Sequence, residues 1–113
     1  MVARIDQLHY TVTTSVTEPP MAIKSFRHKG LEDYFYDGTT RGINSGHTKK
    51  LDTRLDRLDA STCPEDMRLP GYRLHQLKPK SDGRWAIDVS GAWRLTFEFD
   101  GEDAIVVDYE QYH

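Results

Sequence analysis

The stretch Gly91 to Asp100, G-A-W-R-L-T-F-E-F-D, constrains the fold more than any other part of this chain. Trp93, Leu95, Phe97 and Phe99 fall two apart, with Arg94, Thr96 and Glu98 between them. A period of two sends alternate side chains to opposite faces of a strand, so one face seeks a core and the other meets solvent or a ligand. An arginine on that polar face stands on a rigid platform from which a planar guanidinium can meet a phosphate. The same position also suits a cross-strand ion pair, and the strand alone does not decide between them.

A half-buried strand needs neighbours, and the second half of the chain supplies them. Tyr72 to Leu77, Arg84 to Val89, Ala92 to Phe99 and Ala104 to Tyr112 read as strands, separated by Ser81-Asp82-Gly83, Ser90-Gly91 and Asp100-Gly101. The last two suit two-residue hairpin loops, which need positive φ. The result is an antiparallel meander whose inward face carries Trp85, Ile87 and Val89 beside the aromatic stripe of the central strand. The first half supplies the cover. Leu31, Tyr34 and Phe35 have helical spacing within Gly30 to Asp37, with Gly38 as a stop. Ile43, His47, Leu51, Leu55 and Leu58 recur every three or four residues across Asn44 to Asp59, an amphipathic helix that Asn44 or Ser45 can cap. His47 falls on its apolar stripe and reads as a packed histidine, not a ligand. Ala22 to Arg27 reads as a first edge strand. The expected fold class is α+β: two N-terminal helices packed on an antiparallel sheet.

At 113 residues the chain can bury one core, and residues 21–113 are its expected domain. Residues 1–20 differ: T-V-T-T-S-V-T has little to bury, and Pro19-Pro20 ends it. They read as a flexible or loosely docked extension, with Met21 as an alternative start. No apolar run approaches the ~20 residues of a membrane helix, and no secretory signal stands at the N-terminus. Cys63 is the single cysteine and has no activating neighbour, so it reads as inert in a reducing compartment, by default the cytoplasm. Net charge is −3, against coating nucleic acid with the whole surface. From Arg68 to Arg94, however, six arginines and lysines face Asp82 and Asp88, a balance of +4 that leaves −7 for the rest. A local basic patch can hold an anion in an acidic protein.

Four separated blocks narrow the reading further: I-K-S-F-R-H-K-G-L at Ile23 to Leu31, P-G-Y-R-L-H-Q-L-K at Pro70 to Lys78, W-R-L-T-F at Trp93 to Phe97, and D-Y-E-Q-Y-H at Asp108 to His113. Together and in this order they resemble the HigB-like toxins of bacterial type II toxin-antitoxin systems, within the RelE/ParE superfamily. The resemblance runs from about Met21 to the last residue. It implies a RelE-like fold, an endoribonuclease that cuts messenger RNA on the ribosome without a cofactor, and a HigA-like antitoxin whose helix-turn-helix links the toxin indirectly to operator DNA. By position it implies a catalytic set of His75, Lys78, Arg94, Tyr112 and His113. The chain departs from the family in three ways. Gln76 stands where a proline usually follows the histidine, Ser90 and Gly91 stand where some members carry a further arginine, and the net charge is acidic.

Metal-independent RNA cleavage needs a base for the ribose 2′-OH, cations for the phosphate oxygens and an acid for the departing 5′-oxygen. His75 and His113 can exchange protons, Lys78 and Arg94 can hold the phosphate, and Tyr112 can stack on a base or position the 2′-OH. Arg73, Lys80 and Arg84 are candidate RNA contacts, with an ion pair from Arg73 to Asp108 or Glu110 as the structural alternative. A metal site from His75, His113 and Asp108 lacks tight ligand spacing, so none is expected. The competing function is a ParE-like or degenerate toxin that only binds a protein partner.

Overall fold

A computed structural model describes residues 23–77 and 83–111. The expected edge strand contributes two isolated parallel bridges, Ile23 to Ala104 and Phe26 to Val107. Helix α1 follows at Lys29–Asp37. Its N-cap is His28, whose Nδ1 accepts from the Leu31 N–H at 2.9 Å, and Gly38 ends it at φ 78°, donating to the Tyr34 carbonyl. That left-handed stop costs glycine nothing, having no Cβ. The second expected helix starts as a 3₁₀ turn at Ser45–His47 and becomes α2 at Thr48–Asp59. Asn44 caps the turn, its Oδ1 accepting from Gly46 N–H at 2.9 Å.

Four strands form one antiparallel sheet in chain order: β1 His75–Gln76, β2 Trp85–Ser90, β3 Trp93–Asp100 and β4 Asp103–Gln111. Gly91 and Gly101, at φ 57° and 65°, open the two-residue loops on either side of β3. The core lies between the sheet and the helices: Leu31, Phe35, Leu51, Leu55 and Leu58 are buried with Ile87, Val89, Leu95, Phe97 and Val107, and Trp85, Trp93 and Phe99 pack at its rim. The helices of an α+β fold thus cover the face that the alternation of β3 selects.

Two departures from the sequence-based expectation shape the other face. The strand expected over Tyr72 to Leu77 shrinks to two residues, because Gly71 and Arg73 adopt left-handed φ of 85° and 52° and turn the chain before it can pair. On β4 the register shifts between Thr96 and Glu98 of its partner strand, so that Val106 and Val107 stand opposite Phe97. Val106 takes φ 52°, costly for a β-branched residue. Bonds on both sides of its backbone hold it there: Ser25 Oγ accepts from its N–H at 2.8 Å, and Arg84 Nη1 donates to its carbonyl at 2.9 Å.

Candidate active site

The polar face of the sheet follows from strand register. His75 pairs with Ala86, Ala86 with Thr96, and Thr96 with Asp108, which makes one row across all four strands. In the next row Arg94 lies between Asp88 and Glu110. Directly paired residues point to the same face and so do residues two apart, so His75 and Arg94 share it, two strands and two residues apart. At about 4.8 Å between strands and 3.4 Å per residue, their Cα atoms are about 12 Å apart. An imidazole and a long guanidinium arm can close that span onto one phosphodiester and its ribose.

His75 is exposed, and its Nδ1 lies 2.8 Å from the Arg73 carbonyl oxygen. A carbonyl only accepts, so Nδ1 carries the proton and the neutral ring presents its lone pair at Nε2. Arg73 is paired with neither Asp108 nor Glu110. Its left-handed backbone lifts it out of strand parity, and its Nε reaches Asp88 Oδ2 at 3.4 Å. Asp108 instead faces Arg27 at 3.9 Å.

Arg84 occupies a different setting from the one expected of an RNA contact. It is 7% exposed, and its guanidinium donates to the Val106 carbonyl at 2.9 Å, to Thr96 Oγ1 at 2.7 Å and to Glu98 at 3.3 Å. Thr96, 0% exposed, donates its own hydroxyl hydrogen bond to Glu110 Oε2 at 2.7 Å. To touch RNA, Arg84 would have to abandon these partners. Much of the positive charge that the Arg68 to Arg94 stretch brings to the sheet is therefore matched by carboxylates, Arg73 by Asp88 and Arg84 by Glu98.

Behind the site, Trp93 stacks on Tyr109 with ring centres 4.6 Å apart, and His47 Nδ1 lies 2.7 Å from the Tyr109 hydroxyl. Burial, with Lys50 adding to it, lowers the His47 pKa, and burial raises that of the Tyr109 phenol. His47 is thus a packed histidine that ties α2 to the end of β4. Two residues of consequence carried only faint sequence signals. Asp88 stands on the polar side of the β2 alternation. Arg54 occupies a stripe position of α2, where its Nε donates to the Asp88 carbonyl at 2.7 Å and its guanidinium lies 4.3 Å from the centre of the Tyr72 ring.

Lys78, Lys80, Tyr112 and His113 lie outside the described residues. Among the described residues β4 runs to Gln111, which pairs with Trp93, the residue before Arg94. Comparison with known proteins adds to this geometry. Residues 24–113 match the family described as RelE-like toxin of type II toxin-antitoxin system HigB. The chain is also 40% identical over 91 residues to the endoribonuclease HigB of Proteus vulgaris, covering 80% of this chain and 99% of that protein.

Proposed function

Because the chain belongs to the HigB-like toxins of type II toxin-antitoxin systems, we propose that it is an endoribonuclease that cuts messenger RNA on the ribosome. The observation that carries the reading is the shared polar face of His75 and Arg94, in a chain similar along nearly all of an endoribonuclease's length. In the proposed reaction the 2′-oxygen bonds to phosphorus while the bond from phosphorus to the 5′-oxygen breaks, leaving a 2′,3′-cyclic phosphate and a 5′-hydroxyl. One proton leaves the 2′-OH and one reaches the 5′-oxygen. His75 through Nε2 and His113 share those transfers, Arg94 and Lys78 bind the phosphate oxygens, and Tyr112 orients the nucleotide. Arg73 and Lys80 serve as outer RNA contacts. No cofactor enters this scheme.

A type II toxin has an antitoxin, and the partner proposed here is HigA-like, with a helix-turn-helix through which the pair reaches operator DNA. The setting proposed is the cytoplasm. Among the described residues no helix is long and apolar enough to cross a membrane.

The test is induction of the chain without its antitoxin, with 5′-end mapping of cellular messenger RNA and an Arg94→Ala control. Cuts inside translated codons are expected, with the control slowed about 100-fold, the effect of losing one oxyanion contact. Uncut RNA from folded, expressed protein would overturn the nuclease reading in favour of a toxin that only binds a partner.

A further inference from the structure

On the reading that His75 transfers a proton in RNA cleavage, we infer that Asp88 is a positioning residue for it, holding the Arg73 carbonyl against Nδ1 so that Nε2 is the reacting nitrogen. His75 cannot choose its tautomer alone. A free imidazole side chain favours the proton on Nε2, the reverse of what the Arg73 carbonyl enforces at 2.8 Å. That carbonyl is aimed by a left-handed residue, Arg73 at φ 52°, a conformation that a residue with a Cβ avoids unless something holds it.

Asp88 holds it in two ways. Its N–H donates to the Tyr72 carbonyl at 2.8 Å, fixing the peptide ahead of Arg73. Its carboxylate takes the Arg73 guanidinium at 3.4 Å, fixing the side chain. Asp88 is itself anchored from the helix layer, since Arg54 donates to its carbonyl at 2.7 Å while lying over the Tyr72 ring. The line from α2 through β2 to the turn before β1 therefore ends on the exposed imidazole. Asp88 never touches RNA in this scheme; it acts through Arg73.

Two variants separate this role from general stability. Asp88→Ala keeps the backbone bonds to Tyr72 and Arg54, so the fold survives, but it releases Arg73. Adding Arg73→Gly gives the turn a residue that adopts φ of 52° without strain and needs no ion pair. The first measurement is the ¹⁵N resonances of the His75 ring in the isolated toxin above the pH at which the ring protonates, which requires no RNA. The expected spectrum has the proton on Nδ1 in the wild type, both tautomers in Asp88→Ala, and Nδ1 again in the double variant.

The second measurement is single-turnover cleavage of ribosome-bound messenger RNA. At saturating toxin, Asp88→Ala should lower the cleavage rate about two- to fivefold, the equilibrium value of a largely exposed ion pair; the added glycine should restore that saturated rate while raising the toxin concentration needed to reach half of it, since Arg73 is itself an outer RNA contact. Asp88 also faces Arg94 across β2 and β3. A loss arising there would not be rescued by glycine at position 73. A wild-type ring protonated on Nε2, or a tautomer unchanged in Asp88→Ala, would overturn the inference. A tautomer that shifts and is rescued as expected, with cleavage rates unmoved, would uphold the positioning and remove His75 from the reaction.

Discussion

Truncating Arg84 to alanine should unfold this protein more readily instead of merely weakening its hold on RNA. The guanidinium is 7% exposed and donates to the Val106 carbonyl, Thr96 Oγ1 and Glu98. Removing one partner of a buried ion pair typically costs 3–5 kcal/mol, because the other group is left without compensation. Here the Glu98 side chain is 33% exposed and can turn toward water, which places the cost near the lower end, about 3 kcal/mol. The Val106 carbonyl also loses the bond that helps keep its residue left-handed. For a domain of this size each kcal/mol lowers Tm by about 4–8 °C, so a fall of about 12 °C or more is expected. Differential scanning calorimetry of the toxin, with Arg84→Lys beside it, is the assay. Lysine keeps the charge but not the fork, and should recover part of the loss. A Tm within about 4 °C of wild type, together with reduced RNA affinity, would refute the structural role and restore Arg84 as an RNA contact.

Three further outcomes are expected. Burial holds the His47 pKa below its ordinary 6.5, so the unfolded chain binds the proton more readily; stability is full above about pH 6.5 and falls as pH drops below it, and His47→Gln should flatten that slope in urea titrations run at successively lower pH. Gly42→Ala adds a methyl to an exposed residue, yet its Cβ would meet the Gly30 Cα at 2.9 Å; backbone must move, and a loss of about 1–3 kcal/mol in chemical denaturation is expected. Leu55→Ala, fully buried on α2, should cost about 2–5 kcal/mol by the same measurement.

How legible each part was in sequence depends on whether its cause is local. The alternation from Trp93 to Phe99 marks a strand and its core face because side-chain direction in a strand has a fixed period, and Leu51, Leu55 and Leu58 mark α2 for the same reason. Gly91, Gly101 and Gly38 mark turns because their conformations exclude most other residues. Arg73 and Val106 carry no such mark. Their left-handed backbones are imposed by Asp88 and by Ser25 with Arg84, contacts that a pattern of polar and apolar letters cannot express. The same holds for Thr96, which reads as a solvent-facing residue of the alternation and is fully buried under a guanidinium. The neighbours of Arg94 could be read from the two short loops that flank β3, but the pairing of His75 with Ala86 spans the longer connection from β1 to β2, and the proton position on His75 follows only from the turn before β1.

The bridges from Ile23 and Phe26 to β4 join stretches of chain that translation separates widely; the Ser25 hydroxyl and Val106 N–H that meet there are 81 residues apart. Contacts so distant in sequence cannot form until the intervening chain is made, and their closure is slow compared with helix formation. A polypeptide cut short before Asp103 would carry both His75 and Arg94 but neither the strand that flanks Arg94 nor the partner on which its own N-terminal segment docks. Stalled or truncated products of the gene are thereby left without the fourth strand of the sheet and the contacts it makes with Ser25 and the bridges to Ile23 and Phe26.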